Sequence, residues 1–550
     1  MKFFVLFLIG CLSGVLAVAQ EQDRYFIYFK NKGAATNTYA LNAPEAFLGQ
    51  RALDRRMKEG ITVDSTDLPV NSSYAEQVSA TGADVFFASK WLNGILIQAT
   101  AADINQIKSL AFVDSVRLVA AGTRLVKTPD TVEEPTSFDP PAEILGDTDI
   151  QLMMLGADLM HEDDLLGQGI QVAVFDNGFT GVNRYSPFEH LWANEQIVAT
   201  KDFVENSGNV YQFGSHGTSV FSIIGARYAN DTMAYTGIAN GADFILCVTE
   251  DNQGENTLEE YNWVFAAEYA DSIGVDIINS SLGYRTFDIE AHDYSFDDLD
   301  GNTSIITRAV EMAASKGILV ATSAGNSGRR SAPGNLISHP GDADSVLVVA
   351  SVDPDFTRSE FSSVGPTIDG RTKPDIAAFG NGTAVVRGNG DIERGGGTSF
   401  ASPLIAGFAA GILQANPEWT SQDVIRAITN SGHKSLQPDS LLGYGVPNYS
   451  YAVTGEARSL SVEDILEERV TIYPNPFTGN SLNIRFSEAF ASDLSIRVVD
   501  ANGKLLFSKE FAQEEIATEM KLTLDSIQQG LYYLFLQTES TQRVVKLINF

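Results

Sequence analysis

The feature that most constrains this chain is Gly395-Gly396-Gly397-Thr398-Ser399-Phe400-Ala401-Ser402-Pro403, followed at once by the small apolar run Leu404-Ile405-Ala406-Gly407-Phe408-Ala409-Ala410-Gly411-Ile412-Leu413. A run so free of charge suits a helix buried on every side, and the three glycines ahead of it permit backbone angles and close approaches that a Cβ forbids. Ser399 is thereby delivered to a helix N-terminus, where unpaired N–H groups and the helix dipole favour the negative charge of an acyl-transfer transition state. Pro403 is expected in the first helical turn, where its missing N–H costs no intrahelical bond. The plainer reading of Thr398 or Ser399 is a helix cap. Against it, the five fixed residues of Gly-Thr-Ser-x-Ala-x-Pro recur by chance in roughly one of two thousand chains of this length.

A serine nucleophile needs partners, and three other stretches offer them. Ile170-Gln171-Val172-Ala173-Val174-Phe175-Asp176-Asn177-Gly178 puts a carboxylate just past a buried strand, so Asp176 is the candidate orienter of an imidazole. Gly214-Ser215-His216-Gly217-Thr218 sets a histidine before an apolar helical stretch, and His216 is the candidate general base. Thr322-Ser323-Ala324-Gly325-Asn326-Ser327-Gly328 follows an apolar strand, and the Asn326 amide can donate to a developing oxyanion, which a carboxylate cannot. Ser281, Leu282 and Gly283, after another strand, and Ala324 with Gly325 are candidate substrate-binding edges for an extended peptide. The remaining histidines, His161, His190, His292, His339 and His433, lack such a frame and are read as structural, with His292 and His339 as candidate cleft or metal neighbours.

Between residues 144 and 455 short apolar strands (170–175, 244–248, 275–278, 318–322, 346–350) alternate with helical stretches (221–226, 258–270, 305–315, 403–415, 421–429). Such alternation implies an α/β fold, a doubly wound and mostly parallel sheet with its site at the strands' C-terminal ends. The block order Asp176, His216, Asn326, Ser399 resembles that of the subtilases, the subtilisin-like serine peptidases, and differs from the α/β-hydrolase and chymotrypsin-like orders. That resemblance implies a serine endopeptidase made as a self-processed precursor. Ser399 attacks the peptide carbonyl, His216 moves the proton, Asp176 holds the imidazole, and Asn326 with the Ser399 N–H holds the oxyanion. No cofactor is required for this chemistry. Structural calcium stays open: residues 228–237 match the calcium loop of bacterial subtilisins poorly, the acidic stretch 293–300 suits a hard cation or a solvated loop, and metal ligands are unassigned.

The flanks organise the rest. Residues 1–19 read as a secretory signal peptide, with Leu8-Ile9-Gly10-Cys11 also resembling a lipoprotein cleavage box. Residues 20–120 suit a small α+β domain similar to a subtilase propeptide, an intramolecular inhibitor, in which residues 51–58 form a solvated helix face. An acidic, proline-rich linker, 121–143, follows, and maturation cleavage is expected within 120–148. Residues 456–550 read as a small β-sandwich. Tyr473-Pro474-Asn475-Pro476-Phe477, Gly530-Leu531-Tyr532-Tyr533 and the basic-apolar end at Lys546-Leu547 resemble the C-terminal sorting domain of Bacteroidetes type IX secretion. That implies the type IX secretion machinery as a partner and a secreted or cell-surface location. With protein or peptide substrates, a net charge of −33 argues against nucleic acid, and no membrane span is expected. The competing functions are a catalytically inactive surface scaffold or adhesin on the same fold, and a serine esterase.

Overall fold

Seven strands form the central sheet in the spatial order Ile376–Phe379, Leu347–Val352, Leu319–Ser323, Ile277–Ser280, Gln171–Asp176, Asp243–Val248, Ile197–Asp202, and every pairing between neighbours is parallel. The computed structural model describes residues 22–33, 39–122, 135, 137–144, 147–230, 234–456, 470–486, 493–524, 527–538 and 542–550. The expected signal peptide, most of the expected linker and residues 231–233 of the 228–237 loop lie outside them.

Because successive side chains of a strand face opposite ways, the central strand feeds two cores. Val172 and Val174 join Phe221, Leu404 and Phe408 on one side, while Ala173 and Phe175 join Tyr261, Trp263 and Ile306 on the other. The winding reverses at Gln171–Asp176: the next two strands of the chain lie on one side of it and the four later ones on the other. At such a switch point the C-terminal strand ends part to leave a crevice. The α/β expectation thus holds, with two strands added. Ile197–Asp202 carries polar residues as a partly exposed edge, and Ile376–Phe379 has only four residues, two of them alanine, so neither shows a strong apolar run. The helix Thr398–Ala415 is long and apolar enough to cross a membrane by composition, yet it is buried along nearly its whole length as the core helix.

The N-terminal module is an antiparallel sheet ordered Asp84–Ser89, Gly94–Ala99, Asp23–Phe29, Val113–Ala120, with helices Gln50–Glu59, Ser72–Ser79 and Ala101–Ile107. Ile27, Ile95 and Ile97 pack on Ile104 and Ile107 in a core of their own. Phe26, Leu96, Trp91 and Val119 instead enter the core built around the helix Leu258–Ile273. The Tyr28 and Tyr261 hydroxyls meet at 2.7 Å across that junction.

The solvated helix face expected over residues 51–58 is a correction. The helix forms, but Arg55 and Arg56 are buried against Asp271 of the helix Leu258–Ile273, at 2.6 and 2.9 Å, and Lys90 reaches the same carboxylate at 2.7 Å. Arg56 also pairs with Asp67, which accepts Lys316 at 3.2 Å. A charge run on one amphipathic helix reads as solvated because its counter-charge lies some 215 residues away. Burial alone would push the Asp271 carboxyl up, but Lys90, Arg56 and Arg55 outweigh it and hold it at about 2. Being depressed, it contributes stability that is intact above about pH 4 and lost only as pH falls towards 2.

The C-terminal module is a two-sheet sandwich. One sheet is ordered Val470–Tyr473, Ser481–Phe486, Glu519–Thr523, and the other Leu505–Phe511, Leu494–Asp500, Gly530–Gln537, Gln542–Asn549. Its Val499 and Phe535 reach into the core that holds Val172 and Val174 of the central sheet, and the Leu505 N–H donates to Asp149 at 3.0 Å.

Asp271→Asn leaves three cations facing a neutral amide, two of them buried. The precursor is expected to lose about 3–5 kcal/mol of stability at pH 7. Denaturant unfolding of the uncut chain, compared with the exposed-pair control Arg329→Gln, measures it.

Candidate active site

Asp176 ends the central strand at the switch point and is fully buried. His216 opens the helix His216–Gly225, and its Nδ1 lies 2.8 Å from Asp176 Oδ1 and 3.0 Å from Oδ2. The loops carrying the two residues cross closely. A Cβ on Gly178, at φ 138°, would lie 2.7 Å from the Gly214 N, and one on Gly214 would lie 2.1 Å from the Asn177 carbonyl oxygen. Only glycine fits that crossing. Asn177 secures it by accepting the His216 N–H through Oδ1 at 3.1 Å. The Asp176 charge raises the His216 pKa above the ordinary imidazole range, with burial opposing it.

Ser399 is the second residue of the helix Thr398–Ala415. The preceding glycines act through close approach rather than left-handed angles. Gly397 is extended, and a Cβ on it would lie 2.9 Å from Ser399 Oγ and 3.7 Å from Asn326 Nδ2. Pro403 stands at the sixth helical position, not in the first turn as the sequence suggests. Its missing N–H therefore frees the carbonyl four residues back, that of Ser399. The Ser281 hydroxyl donates to that carbonyl at 2.9 Å, fastening a candidate substrate edge to the backbone of the candidate nucleophile.

Asn326 is oriented by Thr398, whose N–H and hydroxyl donate to its Oδ1 at 2.9 and 3.1 Å. With the oxygen end tied down, the Nδ2 end turns to the Ser399 side. Phe400, next in the chain, lies beside the His216 ring at 5.9 Å between centroids. Among the described residues no hydrogen bond joins Ser399 Oγ to the imidazole, a geometry that apo acyl-transfer sites often tighten only on binding.

Ser281, Leu282, Gly283 and Gly325 line a cavity of about 550 Å³ together with Asn326. Ala324 does not; its side chain is buried in the second core. Sequence reasoning missed Thr398, Asn177, Ser338 and Glu250. Ser338 Oγ lies between the walls, 2.4 Å from a Cβ built on Gly283 and 3.1 Å from one on Gly325. The Glu250 carboxyl accepts from Tyr284 and Thr249 and is pushed up to about 8 by burial. Thr398 and Asn177 lie in the same short stretches as Ser399 and Asp176 with no signal of their orienting roles, and no motif marks Ser338 or Glu250; only proximity does.

Four of the other five histidines are engaged elsewhere: His161 with the Ile238 carbonyl at 2.9 Å, His292 with the Thr257 hydroxyl at 3.5 Å, His339 with Asp342 at 2.8 Å, and His433 with the Val446 N–H at 2.8 Å, while burial pushes the pKa of the fifth, His190, down to about 4. In the acidic stretch 293–300, Asp293 accepts the Phe287 N–H, Asp298 caps Ser295, and Asp300 accepts the Asn302 and Thr303 N–H groups. Among the described residues no group of three or more His, Cys, Asp or Glu side chains is gathered to hold a metal ion.

Residues 167–445 match the Subtilase family, residues 24–134 the Bacteroidota peptidase S8 propeptide domain, and residues 471–549 a secretion system C-terminal sorting domain. The serine protease AprX of Bacillus subtilis (strain 168) is 31% identical over 319 residues, covering 53% of this chain and 68% of that protein. Subtilisin NAT of Bacillus subtilis subsp. natto is 31% identical over 275 residues, 50% of this chain and 63% of its own length. The prenylagaramide maturation protease PagA superposes with a TM-score of 0.43 at 23% identity, over 55% of this chain and 98% of that one. The chain belongs to the subtilase family of serine peptidases, with a Bacteroidota-type propeptide ahead of the peptidase domain and a type IX sorting domain behind it.

Proposed function

We propose that this chain is a secreted or surface-delivered serine endopeptidase in which Ser399, His216 and Asp176 act as the triad and Asn326 as an oxyanion donor. The observation that carries the reading is the meeting of Ser399 Oγ and Asn326 Nδ2 over the bare face of Gly397, beside a histidine already held by a buried carboxylate. Ser399 Oγ attacks the carbonyl carbon, and His216 Nε2 takes its proton. The tetrahedral oxyanion lies between Asn326 Nδ2 and the Ser399 N–H. Asp176, fixed on Nδ1, stabilises the imidazolium until Nε2 returns the proton to the leaving amine, and water repeats the cycle on the acyl-enzyme.

The N-terminal module acts in this reading as an intramolecular inhibitor. The Val119 carbonyl accepts the Thr257 hydroxyl at 3.2 Å, so the module's last strand ends against the loop that leads into the helix Leu258–Ile273. Towards the end of the linker, the Asp139 N–H donates to Arg184 and the Ile392 N–H to Glu143, both at 2.9 Å, so the chain is already stitched to the peptidase domain there. In this reading self-cleavage falls between residues 122 and 139, inside the expected 120–148.

Ser399→Ala is expected to leave the secreted precursor uncut and to lower turnover of an internally cleaved peptide by about 10⁶, the scale known for subtilisin. Intact-mass analysis and a peptide assay test both, and maturation of the variant at the wild-type site would assign the cut to another protease. Asn326→Ala is expected to cost about 10²–10³ in kcat with little change in KM, again on the subtilisin scale. Because His216 must be neutral to accept a proton and its pKa is raised, kcat/KM falls on the acid side with a midpoint above about 6.5. Asp176→Asn moves that midpoint down, which a pH–rate profile reads.

A further inference from the structure

The cavity bounded by Ser281, Leu282, Gly283 and Asn326 also receives two arginines, Arg285 and Arg330. Arg285 is half-buried, with its guanidinium over the Phe296 ring at 4.5 Å. Among the described residues neither arginine has an ion-pair partner, whereas the adjacent Arg329 pairs with Glu360 at 3.3 Å. Burial lowers the Arg285 pKa, the Arg330 charge lowers it further and the Asp293 charge partly opposes them, so the two cations lie within range of each other, with one carboxylate nearby that forms no ion pair with either among the described residues.

The cavity also has two carboxylates, Glu255 and Asp288, and the Asp288 carboxylate is engaged by the Glu255 backbone. The Glu255 N–H donates to Asp288 Oδ2 at 3.1 Å and the Asp288 N–H to the Glu255 carbonyl at 2.8 Å. Burial and the Asp288 charge push the Glu255 carboxyl up to about 7, so together they carry less than two negative charges at neutral pH. Ser338, between the two walls, adds a hydroxyl with no partner of its own among the described residues.

In the peptidase reading a carbonyl oxygen held at Asn326 Nδ2 places the substrate at the rim of the cavity that Ser281–Gly283 and Gly325–Asn326 line, open to the side chain of that residue. We propose that this enzyme selects peptides with a carboxylate side chain, Glu or Asp, on the acyl side of the scissile bond, and that Arg285, Arg330 and the Ser338 hydroxyl receive it. Guanidinium groups bind carboxylates through paired, charge-assisted N–H donors, and a site built for such bonds rejects a substrate that leaves its donors empty. The inference rests on the peptidase reading above.

The test is kcat/KM of the mature enzyme on matched peptides differing only at that residue, Glu, Gln, Leu or Lys, with Ser399 labelling by a fluorophosphonate as the measure of a live site. Glu is expected to exceed Gln by about tenfold or more, the preference shrinking as salt rises. In Arg285→Gln/Arg330→Gln the Glu-to-Gln ratio falls towards one, and Arg330→Glu, at an exposed position, turns the preference from Glu to Lys. A labelled enzyme that favours Leu or Lys, or a ratio unmoved by the double substitution, overturns the specificity alone. An enzyme that neither labels nor cleaves any of the peptides overturns the peptidase reading and this one with it.

Discussion

The constraint on which everything else depends is that the seven-stranded parallel sheet is buried on both faces. Strands such as Gln171–Asp176 spend every interior side chain on one core or the other, so polar groups have nowhere to stand except where strands end. Asp176, Asn279 with Ser281, and Ser323 through Asn326 occupy three such ends, next to one another because their strands are hydrogen-bonded neighbours. The site is thus gathered by the same hydrogen bonds that make the sheet. Histidine and serine then arrive at the N-termini of two core helices that pack against each other, His216–Gly225 and Thr398–Ala415.

A broken helical rule holds the centre together. A proline six positions into a helix costs a backbone hydrogen bond, and here the unpaired carbonyl belongs to Ser399. The Ser281 hydroxyl claims it, the Ser281 hydroxyl also accepts from Asn279 Nδ2, and Asn279 Oδ1 accepts the Ser402 hydroxyl at 2.8 Å. The Ser399 backbone and the Ser281 edge are in this way parts of one closed polar network. Local strain at a working site is offset by bonds from a distant strand.

What was legible in the sequence follows from this arrangement. Asp176, His216, Asn326 and Ser399 each sit in a short frame of glycines and small residues because the backbones crowd there, and crowding leaves a local signature. The parallel sheet was legible because doubly buried strands are continuous apolar runs. The orienting roles of Thr398 and Asn177 and the place of Ser338 were not, since a hydroxyl or amide that acts on a neighbouring loop has no period or spacing to reveal it. Arg55 and Arg56 misled for the opposite reason. Their helix looks like any charged surface helix, and the counter-charge that buries them, Asp271, stands far along the chain in the helix Leu258–Ile273, where nothing local links it to them. The position of Pro403 failed because the helix begins at Thr398, on the glycines' side of the serine, rather than at the proline that normally marks a start.

The junction between propeptide and peptidase domain is aromatic as well as ionic. Phe26 lies 4.7 Å from the Tyr261 ring and 6.4 Å from Phe265, and Phe87 stands 5.1 Å from Phe265. Maturation that carries the propeptide away would therefore unroof a helix with tyrosine and phenylalanine on its outer face. The face bared in that way carries the aromatic rings that Phe26 and Phe87 had covered, so a second propeptide or a second molecule would meet an apolar surface there.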